Sequence, residues 1–308
     1  MISFLAAAVI AATPLLFATL GELLTEKSGS LNLGVEGMML LGAVSGFLVG
    51  YQTGNPALAV AGAFVAGAVG AAIFALLTVS LRANQVVTGL TLTIFGSGVA
   101  RFWGNDIVGF TVPSTVQNAF KPFALPVLSR LPGLGPILFR QDIFVYLGYV
   151  CTVLVALYLW NTRAGLKMRA VGENTPAADA AGIAVNRYKY LHIIMGGGLC
   201  GLGGAYLSLI YVPMWQVDVV NGRGWIAVAL VIFASWNPLK TFAGAYLFGA
   251  LSIMGLRLQA AGIHVNQYLV DMFPYLACII IVVMSSFKSK KENQTPANLG
   301  VPYFREDR

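Results

Sequence analysis

Long runs without a charged residue constrain this chain more than any other feature of its sequence. Residues 1–21 contain no Asp, Glu, Lys or Arg, and residues 37–81 contain none either, with a Gly-Asn-Pro turn signal at 54–56. A bilayer core about 30 Å thick needs about 20 mainly apolar residues for each helical crossing. The first run is therefore long enough for one crossing and the second for two. A chain with several such runs crosses a membrane more than once.

The composition supports the same conclusion. Of the 308 residues, 57% are hydrophobic and only 10% are charged, against the roughly 25% charged that is typical of a soluble domain. Backbone groups in lipid must be satisfied within their own segment, so we predict helices rather than strands. The expected fold is an all-α, polytopic transmembrane helix bundle with about nine crossings, within a range of eight to ten. The predicted spans are 3–20, 35–51, 57–80, 85–103, 143–160, 190–211, 225–236, 242–258 and 271–287, of which the seventh and eighth are short and could form a broken hairpin around Trp-Asn-Pro.

The basic residues predict the orientation. The net charge is +7, but the basic residues lie mostly at segment ends rather than in one patch with interleaved aromatic residues, so nucleic-acid binding is not expected. Basic loops are retained in the cytoplasm, which places residues 162–189 and the tail at 288–308 on that side. Counting back through the crossings places residues 104–142 outside. A single transmembrane domain then covers residues 1–287.

Several kinds of chemistry lack the residues that they need. No Gly-x-x-x-x-Gly-Lys-[Ser/Thr] loop is present, so the chain does not bind nucleotide phosphates as a P-loop ATPase does. No His-Glu-x-x-His or similar spacing suggests a metal site. Carboxylates within the predicted spans are few, mainly Glu36 and Asp271, and they do not form a proton relay. We therefore expect no catalytic residues, no metal and no cofactor.

The segment 163–183 is too polar to span a membrane and is patterned like a short helix. Asn174 or Thr175 can cap its N-terminus, Pro176 suits the first helical position and Gly182 can end it. We predict one such helix here. Because so short a helix is marginal alone, it needs a surface to pack against, either a partner protein or the lipid surface.

Four segments make the sequence recognisable. The segment 163–183 resembles the coupling-helix region of ABC importer permeases in the branched-chain amino acid and simple sugar superfamily. The segments GELLTEKSGSLNLGVEG at 21–37, NGRGWIAVALVIFASWNP at 221–238 and LGVPYF at 299–304 are similar to the nucleoside-type branch, in particular to its smaller permease. The resemblance covers nearly the whole chain.

This resemblance implies a transport subunit of the inner membrane rather than an enzyme. It implies three protein partners in addition to the membrane lipid: a second, homologous permease, a cytoplasmic ABC ATPase that hydrolyses the ATP, and an external lipoprotein that delivers the solute. By the same resemblance, the residues that fit a cleft of the ATPase are Gly172, Glu173, Asn174, Ala177, Ala178 and Gly182.

Polar residues within or beside the apolar helices are candidates for the translocation path, because polar groups that face lipid are costly. Two structural alternatives stay open: the threonines can bond to backbone carbonyls, and a glutamate can orient a broken helix, which is the role we favour for Glu36. The candidates are Asn32, Glu36, Gln85, Thr88 and Thr91.

The scarcity of charge within the spans favours a neutral solute, and among the solutes of this superfamily a nucleoside fits best. A simple sugar or riboflavin ABC permease is the first alternative. A stand-alone secondary transporter or channel is the second, because broken helices and glycine-rich packing suit both kinds of protein.

Overall fold

We describe the fold from a computed structural model, in which residues 2–260, 262, 266, 269, 272–286 and 295–304 are described. Asp271, Phe287 and the tail residues Lys288, Lys290 and Lys291, which entered the sequence predictions, lie outside these residues. Across the described part of the chain the fold is helical, apart from one antiparallel pair of two-residue strands. The predicted all-α class is therefore confirmed.

The helices follow the apolar runs. Their bounds are α1 Ile2–Lys27, α2 Val35–Thr53, α3 Pro56–Ala75, α4 Gln85–Gly104, α5 Ser114–Ala119, α6 Leu134–Leu138, α7 Ile143–Asn161, α8 Arg163–Glu173, α9 Thr175–Ala180, α10 Val185–Tyr206, α11 Arg223–Phe233, α12 Pro238–Ala260 and α13 Phe273–Ser286. Short π-helical turns extend α3 through Leu76–Ser80 and α10 through Leu207–Tyr211, and the strands are β1 Phe123–Ala124 and β2 Arg140–Gln141.

Each of the nine predicted spans coincides with a helix, but the count of nine crossings is not confirmed. Within the described residues, six helices are long and apolar enough to cross a bilayer: α1, α2, α3 with its π turn, α4, α7 and α10 with its π turn. The helix α11 has only 11 residues. Ser235 and Trp236 have positive φ angles between α11 and α12, so a sharp turn separates the two, as the broken-hairpin prediction requires.

Side-chain caps set several helix starts. Asn55 accepts hydrogen bonds from the amides of Ala57 and Leu58 at 2.9 and 3.3 Å, with Pro56 at the first position of α3. Asp142 caps α7 in the same way, with bonds of 2.9 and 3.1 Å. Asn237 caps α12 with bonds of 3.0 and 3.3 Å. Such caps satisfy amides that have no partner within the helix.

The helix α10 lies at the centre of the bundle, packed against α1, α2 and α3. It carries a run of glycines, and a Cβ atom added to Gly204 would overlap the backbone of Met39 in α2. A Cβ on Gly42 would likewise overlap the backbone of Gly201. Without a hydrophobic driving force between helices in lipid, such close backbone approach supplies the packing energy. The glycines of α10 and α2 therefore allow the close contact between these helices.

The loops 104–142 and 162–189 contact opposite ends of α1. This helix has 26 residues and is about 39 Å long at 1.5 Å per residue. Near its start, the carbonyl of Ala6 accepts a bond from Gln141 of β2. At its other end, Gly172 packs against the carbonyl of Lys27. The loops 104–142 and 162–189 thus lie at opposite ends of the bundle, as the predicted orientation requires; which end faces the cytoplasm stays a prediction.

The glycine contacts predict the effect of adding one methyl group. Gly204→Ala should destabilise the chain by about 1–3 kcal/mol, because the backbone of Met39 has to move. Gly98→Ala is the matched control, since nothing lies within 4 Å of a Cβ atom at that position in a membrane-spanning helix. Unfolding of both variants in detergent measures the difference. Equal stabilities would show that close approach of α10 to α2 does not hold the bundle together.

Candidate coupling surface and translocation path

The segment predicted as the coupling loop, residues 162–189, contains two short helices where the sequence predicted one, and its last five residues already belong to α10. From here on, the coupling loop means residues 162–184. Thr162 caps α8 by accepting a bond from the amide of Gly165 at 2.9 Å. Asn174 caps α9 by accepting a bond from the amide of Ala177 at 3.0 Å. The predicted short helix is thus confirmed as α9, but the prediction missed α8. Lys and Arg residues obscured its pattern, although its buried residues recur at helical spacing.

The six predicted coupling residues divide by burial. Glu173, Asn174, Ala177 and Gly182 are exposed. Ala178 is buried and packs with Val171 and Val185. Gly172 is also buried, and a Cβ atom there would overlap the carbonyl of Lys27. The exposed four form the surface of the loop, and the buried two fix that surface to the bundle.

A segment close to the C-terminus holds the coupling loop in place. We call residues 295–304 the tail segment. The amide of Asn298 donates to the carbonyl of Gly172 at 3.0 Å, and the amide of Ala297 donates to the Glu173 carboxylate at 3.3 Å. Tyr303 donates its hydroxyl to Asp179 of α9 at 2.7 Å. Sequence reasoning recognised the LGVPYF motif in this segment but missed the contact.

A polar groove runs beside α9 on the same end of the molecule. It has a volume of about 490 Å³. Arg82 forms part of its wall, with its guanidinium 4.6 Å from the centre of the Phe304 ring. The other charged residues in the wall are Asp179 and Arg187. A groove of mixed charge next to an exposed, capped helix is a surface suited to binding another protein rather than a small apolar ligand.

Glu36 is engaged entirely with the protein. Its two carboxylate oxygens accept bonds from the amides of Gly222 and Gly224 at 2.8 and 2.6 Å, at the start of α11. A helix N-terminus presents unpaired amides and a positive dipole, so it binds a carboxylate well. This geometry is the one that an orienting role for Glu36 requires.

Asn32 and Gln85 meet at the loop 28–34, which joins α1 to α2. The side-chain oxygen of Asn32 accepts a bond from the amide of Gly34 at 2.9 Å. The side-chain oxygen of Gln85 accepts a bond from the amide of Leu31 at 2.7 Å. Both side chains are buried, so they stabilise a stretch of irregular backbone at this position.

Thr88 and Thr91 donate to backbone carbonyls one turn back in α4, those of Asn84 and Val87, each at 2.8 Å. Thr88 is buried and Thr91 is exposed. The five path candidates therefore do not form one cluster: Asn32 and Gln85 lie at the loop, Glu36 at α11, and Thr91 on the outer face of α4.

The sequence prediction ended the first span at residue 20 and so left out two buried carboxylates of α1. Glu22 and Glu26 lie in the last turns of α1 and are almost completely buried. Glu22 accepts a bond from the amide of Asn32 at 3.1 Å, and Glu26 accepts one from the indole of Trp236. Glu22 and Glu26 thus add two carboxylates to a membrane-length helix in which the sequence prediction counted none; Asp271 lies outside the described residues. The signal available was the uninterrupted helical pattern through residue 27.

The contacts of Glu36 predict a loss of stability. Glu36→Ala would leave the buried amide of Gly224 and the partly buried amide of Gly222 without an acceptor, and a buried unsatisfied amide costs about 1–3 kcal/mol. Asp218→Asn is the control, because the Arg101–Asp218 ion pair, at 2.9 Å, is half exposed and such pairs contribute about 0–1 kcal/mol. Thermal unfolding in detergent compares the two variants. An unchanged Glu36→Ala midpoint would contradict the assigned role.

Several apolar membrane-length helices, a glycine-packed centre and a structured loop at one end define a multi-pass membrane protein with a surface for a partner. Residues 4–283 match the family described as the permease component of branched-chain amino acid transport systems. This chain belongs to that family. It is therefore a permease subunit of an ABC transporter of the nucleoside and sugar type and not itself an enzyme.

Relatives cover the chain almost end to end. It is 38% identical to TsgC13 of Haloferax volcanii, which is named provisionally as a glucose ABC transporter permease, over 97% of both chains. It is 30% identical to NupQ, a guanosine ABC transporter permease of Bacillus subtilis, over 97% of this chain and 95% of NupQ. It is 31% identical to NupC, a nucleoside ABC transporter permease of Lactococcus lactis, over 89% of both. No solved structure matches the chain.

Proposed function

We propose that this chain is one of two homologous permease subunits of an ATP-driven importer whose solute is a nucleoside. The observation that carries this proposal is the coupling loop: a short helix, capped by Asn174, stands exposed at one end of a membrane bundle and is held there by α8 and the tail segment. A movable partner that pushes on α9 also acts on the adjoining α8, whose Gly172 packs against Lys27 at the end of α1.

In this proposal the partner is a cytoplasmic ABC ATPase. The exposed residues Glu173, Asn174, Ala177 and Gly182 contact it, while Gly172 and Ala178 fix the loop. The same end then faces the cytoplasm, together with the C-terminus. ATP hydrolysis in the partner tilts the helices and alternates access to the path.

A second permease completes the path. The chain is also 25% identical to NupP, another guanosine ABC transporter permease of Bacillus subtilis, of which it covers 79%. It covers 95% of NupQ. A single organism that carries two related guanosine permeases supports a pair of unlike subunits, in which this chain takes the place of the shorter one. At the opposite end, the loop 104–142 would receive solute from an external lipoprotein.

Nucleosides are neutral, and the membrane-length helices have few charged side chains that could pair with an ionic solute. Glu36, Glu22 and Glu26 each bind protein donors, as described above. Two relatives of about 30% identity are named for guanosine and for nucleosides. In the proposed path, Asn32, Gln85, Thr88 and Thr91 supply polar groups at separate points along the path, and Glu36 holds α11 in position.

A sugar is the second candidate, because TsgC13 is the relative of 38% identity and is named for glucose. Sugars and nucleosides both carry neutral hydroxyl groups. Uptake is therefore to be measured for both. A stand-alone secondary transporter differs from both a nucleoside and a sugar ABC permease because it needs no ATPase.

Reconstituted uptake tests the solute and the class together. We expect vesicles that contain this chain, its partner permease, the ATPase and the binding protein to take up labelled guanosine only with ATP, and to lose this uptake when this chain is omitted. Labelled glucose serves as the competing solute. Uptake of glucose alone would reassign the substrate, and ATP-independent uptake by this chain alone would refute the importer.

A single bulky substitution tests the coupling surface. Ala177→Trp should abolish co-elution of the ATPase and lower ATP-dependent uptake about tenfold or more, because a large side chain on α9 prevents close docking, as changes at interface centres do. Ala119→Trp is the control for co-elution of the ATPase: Ala119 is also exposed and ends a six-residue helix, but at the opposite end of the bundle. If Ala177→Trp still binds the ATPase as the control does, α9 is not the docking helix.

A further inference from the structure

The seam between α7 and α10 contains two adjoining cavities. The first, about 310 Å³, is lined by apolar residues that include Leu24 of α1, Leu154 of α7 and Met195 of α10. The second, about 510 Å³, opens at the coupling loop. Tyr158 and Leu191 line both cavities, so the two form one continuous groove, which we call the seam groove.

The deeper part of the seam groove lies at hydrocarbon depth. Leu154 and Met195 belong to membrane-length helices and are 58% and 44% exposed. The polar atoms nearby are already engaged: His192 shares a hydrogen bond of 2.7 Å with the hydroxyl of Tyr158 and one of 2.6 Å with the carbonyl of Tyr188. This part of the groove therefore offers an apolar surface on which the polar atoms of His192 and Tyr158 already have hydrogen-bond partners. An acyl chain can cover such a surface.

The outer part of the seam groove is basic. Lys167 of α8 and Arg187 at the start of α10 line it, and both are exposed. Neither has an ion-pair partner among the described residues, and no acidic residue is among those that line this cavity. A guanidinium binds phosphate through two parallel bonds, and a lysine adds a mobile point charge.

We propose that the seam groove binds one anionic phospholipid, with an acyl chain along Leu154 and Met195 and the headgroup phosphate between Lys167 and Arg187. An anionic phospholipid fits both parts of the groove. The apolar part at hydrocarbon depth leads directly to the basic part at the membrane surface, where Lys167 and Arg187 have no ion-pair partner among the described residues. Basic pockets between helices at the cytoplasmic surface recognise anionic headgroups in this way. A free phosphate or a protein side chain would fill only the outer part.

Binding at this position ties α8 to α10. Lys167 lies on the first helix of the coupling loop, whereas Arg187 lies on the central helix of the bundle. A bound anionic lipid therefore reduces the freedom of the coupling loop relative to the bundle. In this proposal the lipid is a specifically bound component of the subunit and not one of the exchanging lipids of the bilayer.

Native mass spectrometry of the full chain tests this proposal with phosphatidylglycerol and phosphatidylcholine of the same acyl chains. We expect one phosphatidylglycerol to be retained in preference to phosphatidylcholine. The double variant Lys167→Gln, Arg187→Gln should lower its affinity about thirtyfold, the effect of two interfacial basic residues. The double variant Arg163→Gln, Arg130→Gln changes the charge equally at positions that line neither cavity, and it should retain the lipid.

Met195→Trp fills the apolar part without changing charge and should also weaken phosphatidylglycerol binding, whereas a headgroup-only site would not respond. Elution as a single species in size-exclusion chromatography shows that each variant is folded. Equal retention of the two lipids, or full retention by the Lys167→Gln, Arg187→Gln variant, would overturn the proposal. Displacement by equal concentrations of inorganic phosphate would assign the outer part to a free anion. Loss of the lipid when the ATPase binds would show that the ATPase, not a lipid, occupies the outer part of the seam groove.

Discussion

Close backbone contact between α10 and its neighbours is the constraint on which the rest of this structure depends. In water, the burial of large apolar side chains holds helices together, but in lipid the tails are as apolar as leucine and that force is lost. Gly201 and Gly204 let α10 approach α2 until backbone meets backbone. The dispersion energy of many such contacts then replaces the hydrophobic effect. The helices α1, α2 and α3 pack directly on α10, and α12 and α4 pack in turn on α1 and α2.

Among the described residues, the loop 28–34 is a largely buried place where the chain departs from helix. Irregular backbone is tolerated at membrane depth only when protein groups satisfy it. Glu22 and Gln85 accept bonds from the amides of Asn32 and Leu31, and Glu36 accepts bonds from the start of α11. Gln85 and Glu36, polar side chains that look like path residues in the sequence, thus bond to backbone amides in turns and at a helix start.

The coupling loop shows how distant segments build one surface. The helix α9 has six residues, too few to be stable alone. Its position depends on Ala178 packing with Val171 and on Tyr303 bonding to Asp179. Gly172 of α8 also touches the end of α1, so the coupling loop is packed against the bundle through α8.

The sequence by itself determined the class of fold, the positions of the long helices and the short helix α9. Apolar length, caps such as Asn174 and the glycine spacing are local signals, and each acts within a few turns of its own residue. Only the tertiary structure decided which polar groups form hydrogen bonds with other residues of the protein. The contacts of Glu36 with Gly222, Glu26 with Trp236 and Asn298 with Gly172 join residues more than a hundred positions apart. No local pattern encodes such pairs, because their partners are chosen by the packing of helices that lie between them in the sequence.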